Sequence, residues 1–240
     1  MDKEKKAGYV KEVFNTIAGG YDKMNLIMTW GMLPRWQKKV LRLTDLKLGD
    51  MALDVCCGTG EMTYKAAKRV GPFGGAVGLD FSEEMLDRAK EKFSLSTLSL
   101  KFIQGDALNL PFQDNLFNAA TNGFALRNVS DIKKTLQEMA RVVKPGGKVV
   151  CIEVSRPSFP INRAFFNLYY FRFVPWLGKF LGNDQKVTDG YEPYTWLAES
   201  LKDFPSRKGI VALYKEAGMN EVKAYPVGFG AVTIYVGVVG

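Results

Sequence analysis

The fold is decided by one stretch of the chain, Leu53-Asp54-Val55-Cys56-Cys57-Gly58-Thr59-Gly60-Glu61. An apolar segment that runs into Gly-x-Gly and then into a helix-forming segment is typical of a strand that turns sharply into a helix. Glycines at such a turn let a ligand approach the backbone closely because they carry no Cβ. Two interpretations follow, a ligand-binding loop or a tight turn that binds nothing.

Strand-like and helix-like patterns alternate beyond this stretch. Apolar runs predict strands at residues 51–55, 75–79, 100–104, 117–121 and 148–154. We predict helices at residues 60–70, after the N-cap Ser82, and from Ile132 to a stop at Lys144-Pro145-Gly146-Gly147. A helix at 206–216 precedes two more strands, near 221–225 and 231–238. This alternation predicts an α/β fold, a mostly parallel seven-stranded sheet with helices on both faces.

Two segments lie outside the alternating pattern, although residues 1–240 suit a single domain. Residues 1–45, with a predicted helix from about Lys5 to Ile17, form an N-terminal helical lid segment, and residues 157–194 form a helical insertion. We predict one aromatic stripe in the insertion, with Phe165, Phe166, Tyr169, Tyr170 and Phe173 on it and Trp176 and Phe180 beyond. Such a stripe is more often core, but shelter for a prenyl tail or contact with a membrane interface stays open.

The composition excludes several kinds of site. There is no histidine, which removes Ser-His-Asp triads and most zinc sites, so we expect no metal. The three cysteines, Cys56, Cys57 and Cys151, are odd in number and two are adjacent, so a disulfide framework is not expected.

The formal net charge of +8 favours an anionic partner, unless it serves solubility alone. Lysine and arginine do not interleave with aromatic residues in the way of single-strand binders, so nucleic acid is disfavoured. The N-terminus carries charges of both signs and leads into no apolar core, so we do not expect it to be a signal peptide. No apolar run approaches the ~20 residues that span a bilayer. We expect a cytoplasmic protein, and peripheral contact with an anionic membrane stays open.

Acidic residues follow three of the predicted strands. Asp54 ends the first, Asp80 the second, and Asp106 comes after the third in Gly105-Asp106-Ala107. A carboxylate at the end of the second strand can accept both hydroxyls of a ribose, and Asp106 could accept from an adenine amine. Each alone could be a strand end or a cap, but the set favours a nucleoside. Thr63 stands where a dinucleotide-binding loop would continue to a third glycine, which disfavours a nicotinamide oxidoreductase.

This spacing resembles that of Rossmann-like class I S-adenosylmethionine methyltransferases, as does the block Pro111-Phe112-Gln113-Asp114-Asn115-Leu116-Phe117. The resemblance implies that the glycine loop contacts the methionine portion, Asp80 the ribose, and Asp106 with Ala107 the adenine. The predicted cofactor-binding residues are Asp54, Gly58, Thr59, Gly60, Asp80, Phe81, Asp106, Ala107 and Gly123.

Two longer blocks resemble the demethylmenaquinone and demethylubiquinone C-methyltransferase family. They are Phe124-Ala125-Leu126-Arg127-Asn128-Val129-Ser130-Asp131 and Tyr21-Asp22-Lys23-Met24-Asn25-Leu26-Ile27-Met28-Thr29-Trp30-Gly31. The resemblance runs from about Phe14 to the end of the chain. It departs from the family at Leu33 and Pro34, where a His-Arg pair is usual, at Gly123, often serine, and at Ala125, where the family has glycine.

The resemblance implies C-methylation of a prenylated quinol, with demethylmenaquinol favoured as the acceptor. Methyl transfer requires alignment of the nucleophile and exclusion of water, and a positioned base or water to take the phenol proton. We predict that Arg127 and Asn128 line the acceptor pocket and orient the phenolate. Tyr21, Asp22 and Asn25 would close over it from the N-terminal segment. The alternatives are a surface ion pair for Arg127 and a helix N-cap region for Asn128.

Other functions remain open at this point. The equivalent step of ubiquinone biosynthesis, or methylation of another small hydroxy-aromatic or lipid, keeps the cofactor and changes the acceptor. A catalytically silent nucleoside-binding module would bind the cofactor without transfer. The sequence assigns no oligomeric state.

Overall fold

The described part of the chain, residues 3–180 and 193–240 of a computed structural model, is built around one seven-stranded sheet. Its strands are β1 (Met51–Val55), β2 (Gly75–Asp80), β3 (Leu100–Gln104), β4 (Phe117–Gly123), β5 (Val143–Val154), β6 (Met219–Val227) and β7 (Val232–Val239). They lie in the order β3-β2-β1-β4-β5-β7-β6, with β1 to β5 parallel and β7 antiparallel to both neighbours. The predicted α/β sheet is confirmed.

Helices cover both faces of the sheet and form the two additional segments. They are α1 (Lys3–Ile17), α2 (Tyr21–Met28), α3 (Leu33–Leu43), α4 (Glu61–Val70), α5 (Glu83–Lys92), α6 (Ile132–Val142), α7 (Pro160–Leu168), α8 (Val174–Phe180), α9 (Pro193–Glu199) and α10 (Arg207–Glu216). Apolar residues of α3 and α4 pack on one face, and those of α6 and α10 on the other. A parallel sheet needs this cover because its strands are apolar on both sides.

Side-chain caps fix where three of the helices begin. The Ser82 hydroxyl accepts from the Met85 amide, as predicted, and Glu83 and Glu84 place negative charge at the positive end of the α5 dipole. Asp131 caps α6 and Ser206 caps α10 in the same way. Each cap satisfies an amide that the helix itself leaves unpaired.

β5 begins earlier than the sequence predicts. The expected start was residue 148, after the turn at Lys144-Pro145-Gly146-Gly147, but Val143 already pairs with Phe117. The chain then bulges before the register resumes between Ala119 and Lys148. A Cβ on Gly147 would lie 2.6 Å from the Asn118 carbonyl oxygen, so this close approach of two strands requires glycine.

The structure of the insertion shows that the predicted single aromatic stripe is wrong. Phe166 and Tyr170 are buried, whereas Phe165 is 70% exposed, so the stripe is divided between core and surface. Adjacent residues on a helix point about 100° apart, which rules out one face for both phenylalanines. A π-helical turn at Tyr169–Phe173 shifts the pattern further. The side chain of Phe180 lies outside the described residues.

The described helices include none with the length and apolar character needed to cross a bilayer.

Gly60 offers a test of packing beneath the glycine loop. A Cβ there would meet the Phe102 ring at 2.7 Å, while Gly49, which also has a positive φ, has nothing within 4 Å. We expect Gly49→Ala to lower the free energy of unfolding by about 1 kcal/mol through backbone strain alone. Gly60→Ala should lower it by a further 1–3 kcal/mol or so, because the methyl overpacks the site. Urea unfolding measures both, and equal losses would contradict the packing role.

Candidate active site

The carboxyl ends of the parallel strands surround a cavity of about 370 Å³, which we call the inner cavity. Ligands of open α/β sheets bind at this edge, where the strand order reverses between β1 and β4. Most of the predicted cofactor-binding residues line it, namely Gly58, Asp80, Phe81, Asp106, Ala107 and Gly123. The structure therefore brings these residues together from the ends of four strands, β1 to β4.

Asp80 is the most firmly held of the acids. Its Oδ2 accepts from the Gly58 amide at 2.8 Å and its Oδ1 from the Ser82 amide at 3.0 Å. Burial raises the pKa of the carboxyl above its ordinary value, although these amides work against the shift. Each carboxylate oxygen retains a lone pair, so Asp80 can still accept from a pair of hydroxyls in the cavity.

Asp106 and its apolar neighbours form another part of the inner-cavity wall, which we call the shelf. The Asp106 Oδ1 accepts from the Leu108 amide at 2.9 Å, which closes a tight turn after β3. Leu79, Ala107 and Leu108 supply apolar surface beside it. An apolar shelf with an acidic acceptor at its edge suits a flat heterocycle that carries an amino group.

Asp54 lies outside the inner cavity and holds the loop instead. It is buried, lines a smaller third cavity of about 210 Å³, and accepts from Thr63 and Thr121 hydroxyls, each at 2.8 Å. Burial raises its pKa to about 6 despite these bonds. Asp54 thus ties β1 to α4 and β4, which fixes the direction in which the glycine loop leaves the sheet.

The glycine loop divides its tasks among three residues. Gly58 has φ +54, and a Cβ there would point at the Tyr21 ring 3.7 Å away, between the loop and the lid. Thr59 lines the third cavity and donates to Asp22 at 2.6 Å. Gly60 lines none of the three cavities, and its missing Cβ makes room for Phe102. A cofactor contact from Gly60 stays a prediction.

The N-terminal helices close over the loop through polar contacts. Lys92 reaches both Asp22 and Glu61 at 2.8 Å, and the Ser82 hydroxyl donates to Asn15 at 2.6 Å. Asp22 was predicted to close over the acceptor, but its carboxylate is occupied by Thr59 and Lys92 on the loop side. It therefore fastens α2 to the loop.

A second cavity, of about 470 Å³, lies between the lid segment and the insertion, and we call it the outer cavity. Its walls are mostly apolar and aromatic side chains of α2, α3, α7 and the π-helical turn. It shares Phe14, Tyr21 and Phe124 with the inner cavity. We call these three residues the partition, because a ligand in either cavity would touch them.

Arg127 lies in the wall of the outer cavity, buried against Glu153. The two side chains form a buried ion pair, and Glu153 also accepts from the Val154 amide at 2.8 Å. Burial works to lower the pKa of Arg127, but the Glu153 carboxylate outweighs it and holds the pKa above its ordinary value. Among the described residues, nothing accepts from the buried Arg127 Nε. The surface ion pair considered for Arg127 is wrong, since its partner is fully buried.

Asn128 lines the inner cavity rather than the outer one. Its side-chain oxygen accepts from Trp196 Nε1 at 3.1 Å, which ties the loop after β4 to α9. The N-cap interpretation for it is wrong, because Asp131 caps α6. On the other side, the Lys6 ammonium donates to the carbonyl oxygens of Arg127 and Val129 at 3.0 and 2.8 Å. The loop is thus held from both sides.

Tyr21 stands where all three cavities meet. Its ring packs edge-on against Phe14 with centroids 6.0 Å apart, and its hydroxyl bonds with Asn25. Burial raises the pKa of the phenol, and the nearby Arg127 only partly offsets this. Tyr21 therefore keeps its proton at neutral pH and can donate that proton in a hydrogen bond to a ligand.

Glu153, the partner of Arg127, is a residue of the candidate site that the sequence analysis did not predict. The sequence does contain a signal for Glu153: a carboxylate inside an otherwise apolar strand predicts a buried partner, because a buried charge needs one. Which residue would be that partner depends on the fold, since Arg127 comes from a different loop.

The sheet order, the acid-lined inner cavity and the adjoining apolar cavity define the chain as a class I methyltransferase. A sequence model described as the ubiE/COQ5 methyltransferase family matches residues 1–239. The chain belongs to the ubiE/COQ5 methyltransferase family, and the prediction of an S-adenosylmethionine-dependent enzyme is confirmed.

Similar proteins can be aligned with this chain over nearly its whole length. Proteins named demethylmenaquinone methyltransferase from Bacillus cytotoxicus and from Bacillus cereus strain ATCC 10987 are 40% and 41% identical to it, over 95% of this chain and 94% of each of theirs. Among solved structures, an S-adenosylmethionine-dependent methyltransferase from Aquifex aeolicus has a TM-score of 0.61 at 22% identity, covering 85% of this chain and 89% of its own. A possible histamine N-methyltransferase from Thermotoga maritima gives 0.63 at 19%, covering 96% and 100%. These two show the fold alone.

The raised pKa of Asp54 predicts a pH-dependent stability. Because its pKa is about 6 in the folded chain and 3.8 for an aspartate free in water, the native state takes up the proton first as the pH falls. Relative to Asp54→Asn, the wild-type free energy of unfolding should rise by up to about 3 kcal/mol from about pH 7 to about pH 4. Urea titrations at several pH values measure it, with exposed Asp87→Asn as the carboxylate-to-amide control. A pH-independent difference for Asp54→Asn would refute the shift.

Proposed function

We propose that this protein transfers a methyl group from S-adenosylmethionine to a ring carbon of demethylmenaquinol. The proposal depends on the buried Arg127, which lines a mostly apolar cavity and whose Nε has no acceptor in the described structure. An unsatisfied buried donor is costly, and a phenolate oxygen would satisfy it. The 40% identical relatives named demethylmenaquinone methyltransferase support the same acceptor.

The inner cavity fits the cofactor in shape and chemistry. Asp80 offers carboxylate oxygens for ribose hydroxyls, and Asp106 with the Leu108 shelf suits the adenine. The positive φ of Gly58 favours glycine, and the bare backbone there lets the amino-acid portion approach the loop closely. When bound, S-adenosylmethionine supplies a methyl group on a positively charged sulfur. The protein then has to align a nucleophilic carbon and exclude water.

Arg127 and Tyr21 would make that carbon nucleophilic. A fixed positive charge next to the quinol hydroxyl lowers its pKa and favours the phenolate, whose charge spreads to the ring carbons. Tyr21, which keeps its own proton, would donate to the same oxygen. With no histidine in the chain, we assign the phenol proton to water. The carbon that gains the methyl group loses its hydrogen as a proton, which restores the aromatic ring.

The outer cavity suits the prenyl tail. Among its described lining residues Arg127 alone is charged, and Met24, Trp36 and Phe166 are typical of the remainder. We propose that the N-terminal helices act as a lid that closes both cavities, since Asp22, Asn15 and Lys6 fasten it to the sheet side. Because a prenylated quinol resides in membrane, we place the enzyme in the cytoplasm at the membrane surface, with no nucleic-acid partner.

A transfer assay tests the proposal directly. Methyl-labelled S-adenosylmethionine is incubated with reduced demethylmenaquinone and demethylubiquinone analogues, and mass spectrometry locates the label. We expect label on the naphthoquinol ring carbon. Label on the benzoquinol alone would reassign the acceptor. No label on either, with cofactor binding intact, would leave only the family and the fold standing.

Arg127→Lys isolates the role of the guanidinium. Lysine keeps a positive charge for Glu153 but removes the Nε donor and the planar fork. We expect kcat/KM for the quinol to fall about 100-fold, the size typical of a lost stabilising donor, while cofactor affinity stays within about twofold. Arg69→Lys, remote from the cavities and bonded to the Leu46 carbonyl oxygen, is the matched control. Unchanged turnover at saturating quinol would show that Arg127 has only a structural role.

A further inference from the structure

The mouth of the outer cavity is ringed by exposed aromatic side chains. Trp30, Phe165 and Phe229 all line this cavity, yet they are 74%, 70% and 85% exposed. A side chain that lines a cavity and also faces solvent lies at its opening. Large apolar groups clustered in water at one place mark a surface that is covered in use.

The apolar surface continues away from the mouth along the insertion. Ile161, Phe165 and Leu168 follow the i, i+4, i+7 spacing of one helical face of α7, and all are more than half exposed. A chain of ring contacts links Trp30 to Tyr169 at 6.0 Å, Tyr169 to Phe173 at 5.4 Å and Phe173 to Trp176 at 5.6 Å. We call this surface, with Phe229, the aromatic rim.

A cleft of positive charge lies on the other side of α7. It is lined by Arg156, Arg163, Arg172, Lys202, Arg207 and Lys208, and no aspartate or glutamate is among its described lining residues. We call it the basic cleft. It adjoins the rim directly, because Leu168 belongs to both and Arg163 projects from the same helix as Phe165.

The cleft holds its arginines close together. Arg163 Nη2 donates to the Ser158 carbonyl oxygen at 3.2 Å, and Arg207 Nη1 to the Ser158 hydroxyl at 3.4 Å. Arg156 Nη2 bonds the Leu201 carbonyl oxygen at 3.4 Å. Within the described ranges no ion pair joins these three arginines to a carboxylate. Like charges gathered in this way repel one another unless an anion lies against them.

We propose that the aromatic rim and the basic cleft form one docking face for the anionic leaflet of a lipid bilayer. The rim would enter the boundary between headgroups and acyl chains, where aromatic rings are favoured, and the cleft would meet lipid phosphates. The mouth of the outer cavity then opens towards the acyl chains, so a prenyl tail enters it without crossing water. This role for the face rests on the proposed acceptor. A free phosphate would fill the cleft but leave the rim uncovered.

Two pairs of substitutions test the face on the full chain. Ile161→Ser with Leu168→Ser weakens the rim outside the cavity lining, and Phe73→Ser with Leu95→Ser, at side chains 90% and 95% exposed elsewhere, is its control. Arg172→Gln with Lys208→Gln weakens the cleft, and Lys47→Gln with Lys101→Gln is its control. Binding is measured by co-sedimentation with phosphatidylcholine vesicles, with and without phosphatidylglycerol.

We expect salt-sensitive binding to the anionic vesicles, far weaker binding to pure phosphatidylcholine, and no change in either control. The rim pair should reduce binding at least about tenfold, and the cleft pair about 25-fold, near fivefold per charge. Equal effects of test and control pairs would overturn the proposal. So would inorganic phosphate that raises Tm while vesicles do not bind.

Activity separates this proposal from the function itself. Methyl transfer to a short-tailed, water-soluble quinol should be unchanged in the rim and cleft pairs, while transfer to a long-tailed quinol in vesicles falls with binding. Vesicle binding requires no methyl transfer, so a wrong acceptor would leave that result intact. Loss of transfer to the soluble quinol in both pairs would show that the face acts through the site and not through lipid.

Discussion

The buried ion pair between Arg127 and Glu153 is the interaction on which the site depends. Two charges removed from water are tolerated only when each has a partner and further hydrogen bonds, and loss of either partner leaves an uncompensated charge. Glu153 belongs to the interior strand β5, whereas Arg127 belongs to the loop after β4. The pair therefore fixes that loop to the sheet, and the loop in turn receives Lys6 of α1 and Trp196 of α9. The N-terminal lid, α9 and the sheet are thus all connected through the loop that this ion pair holds in place.

The acids at the edge of the sheet divide into two kinds. Asp54 accepts from two threonine hydroxyls and holds the shape of the loop, while Asp80 is held by backbone amides and lines the inner cavity. Burial raises the pKa of both. Two acids that look alike in sequence thus differ in their surroundings: the donors to Asp54 tie three elements together, whereas Asp80 keeps lone pairs directed at the inner cavity.

The sequence predicted what depends on local pattern. Strand positions, the Ser82 cap and the acids after the strands follow from periodicity and residue type over a few positions, and the structure has them in place. Glu153 as the partner of Arg127, the inner-cavity position of Asn128 and the clamp made by Asp22 depend on contacts between distant segments. The divided aromatic stripe depends on a π-helical turn that residue spacing alone does not reveal. The early start of β5 depends on pairing with β4.

Tyr21 and Phe14 belong to the walls of both main cavities, and this shared partition has a thermodynamic consequence. If a ligand in the inner cavity changes the position of the partition, it changes the affinity of the outer cavity by some factor. Linkage then requires that a ligand in the outer cavity change the affinity of the inner one by the same factor. The effect of bound cofactor on the affinity for the quinol and the effect of bound quinol on the affinity for the cofactor would then be two expressions of one coupling free energy, set by the packing of two aromatic rings.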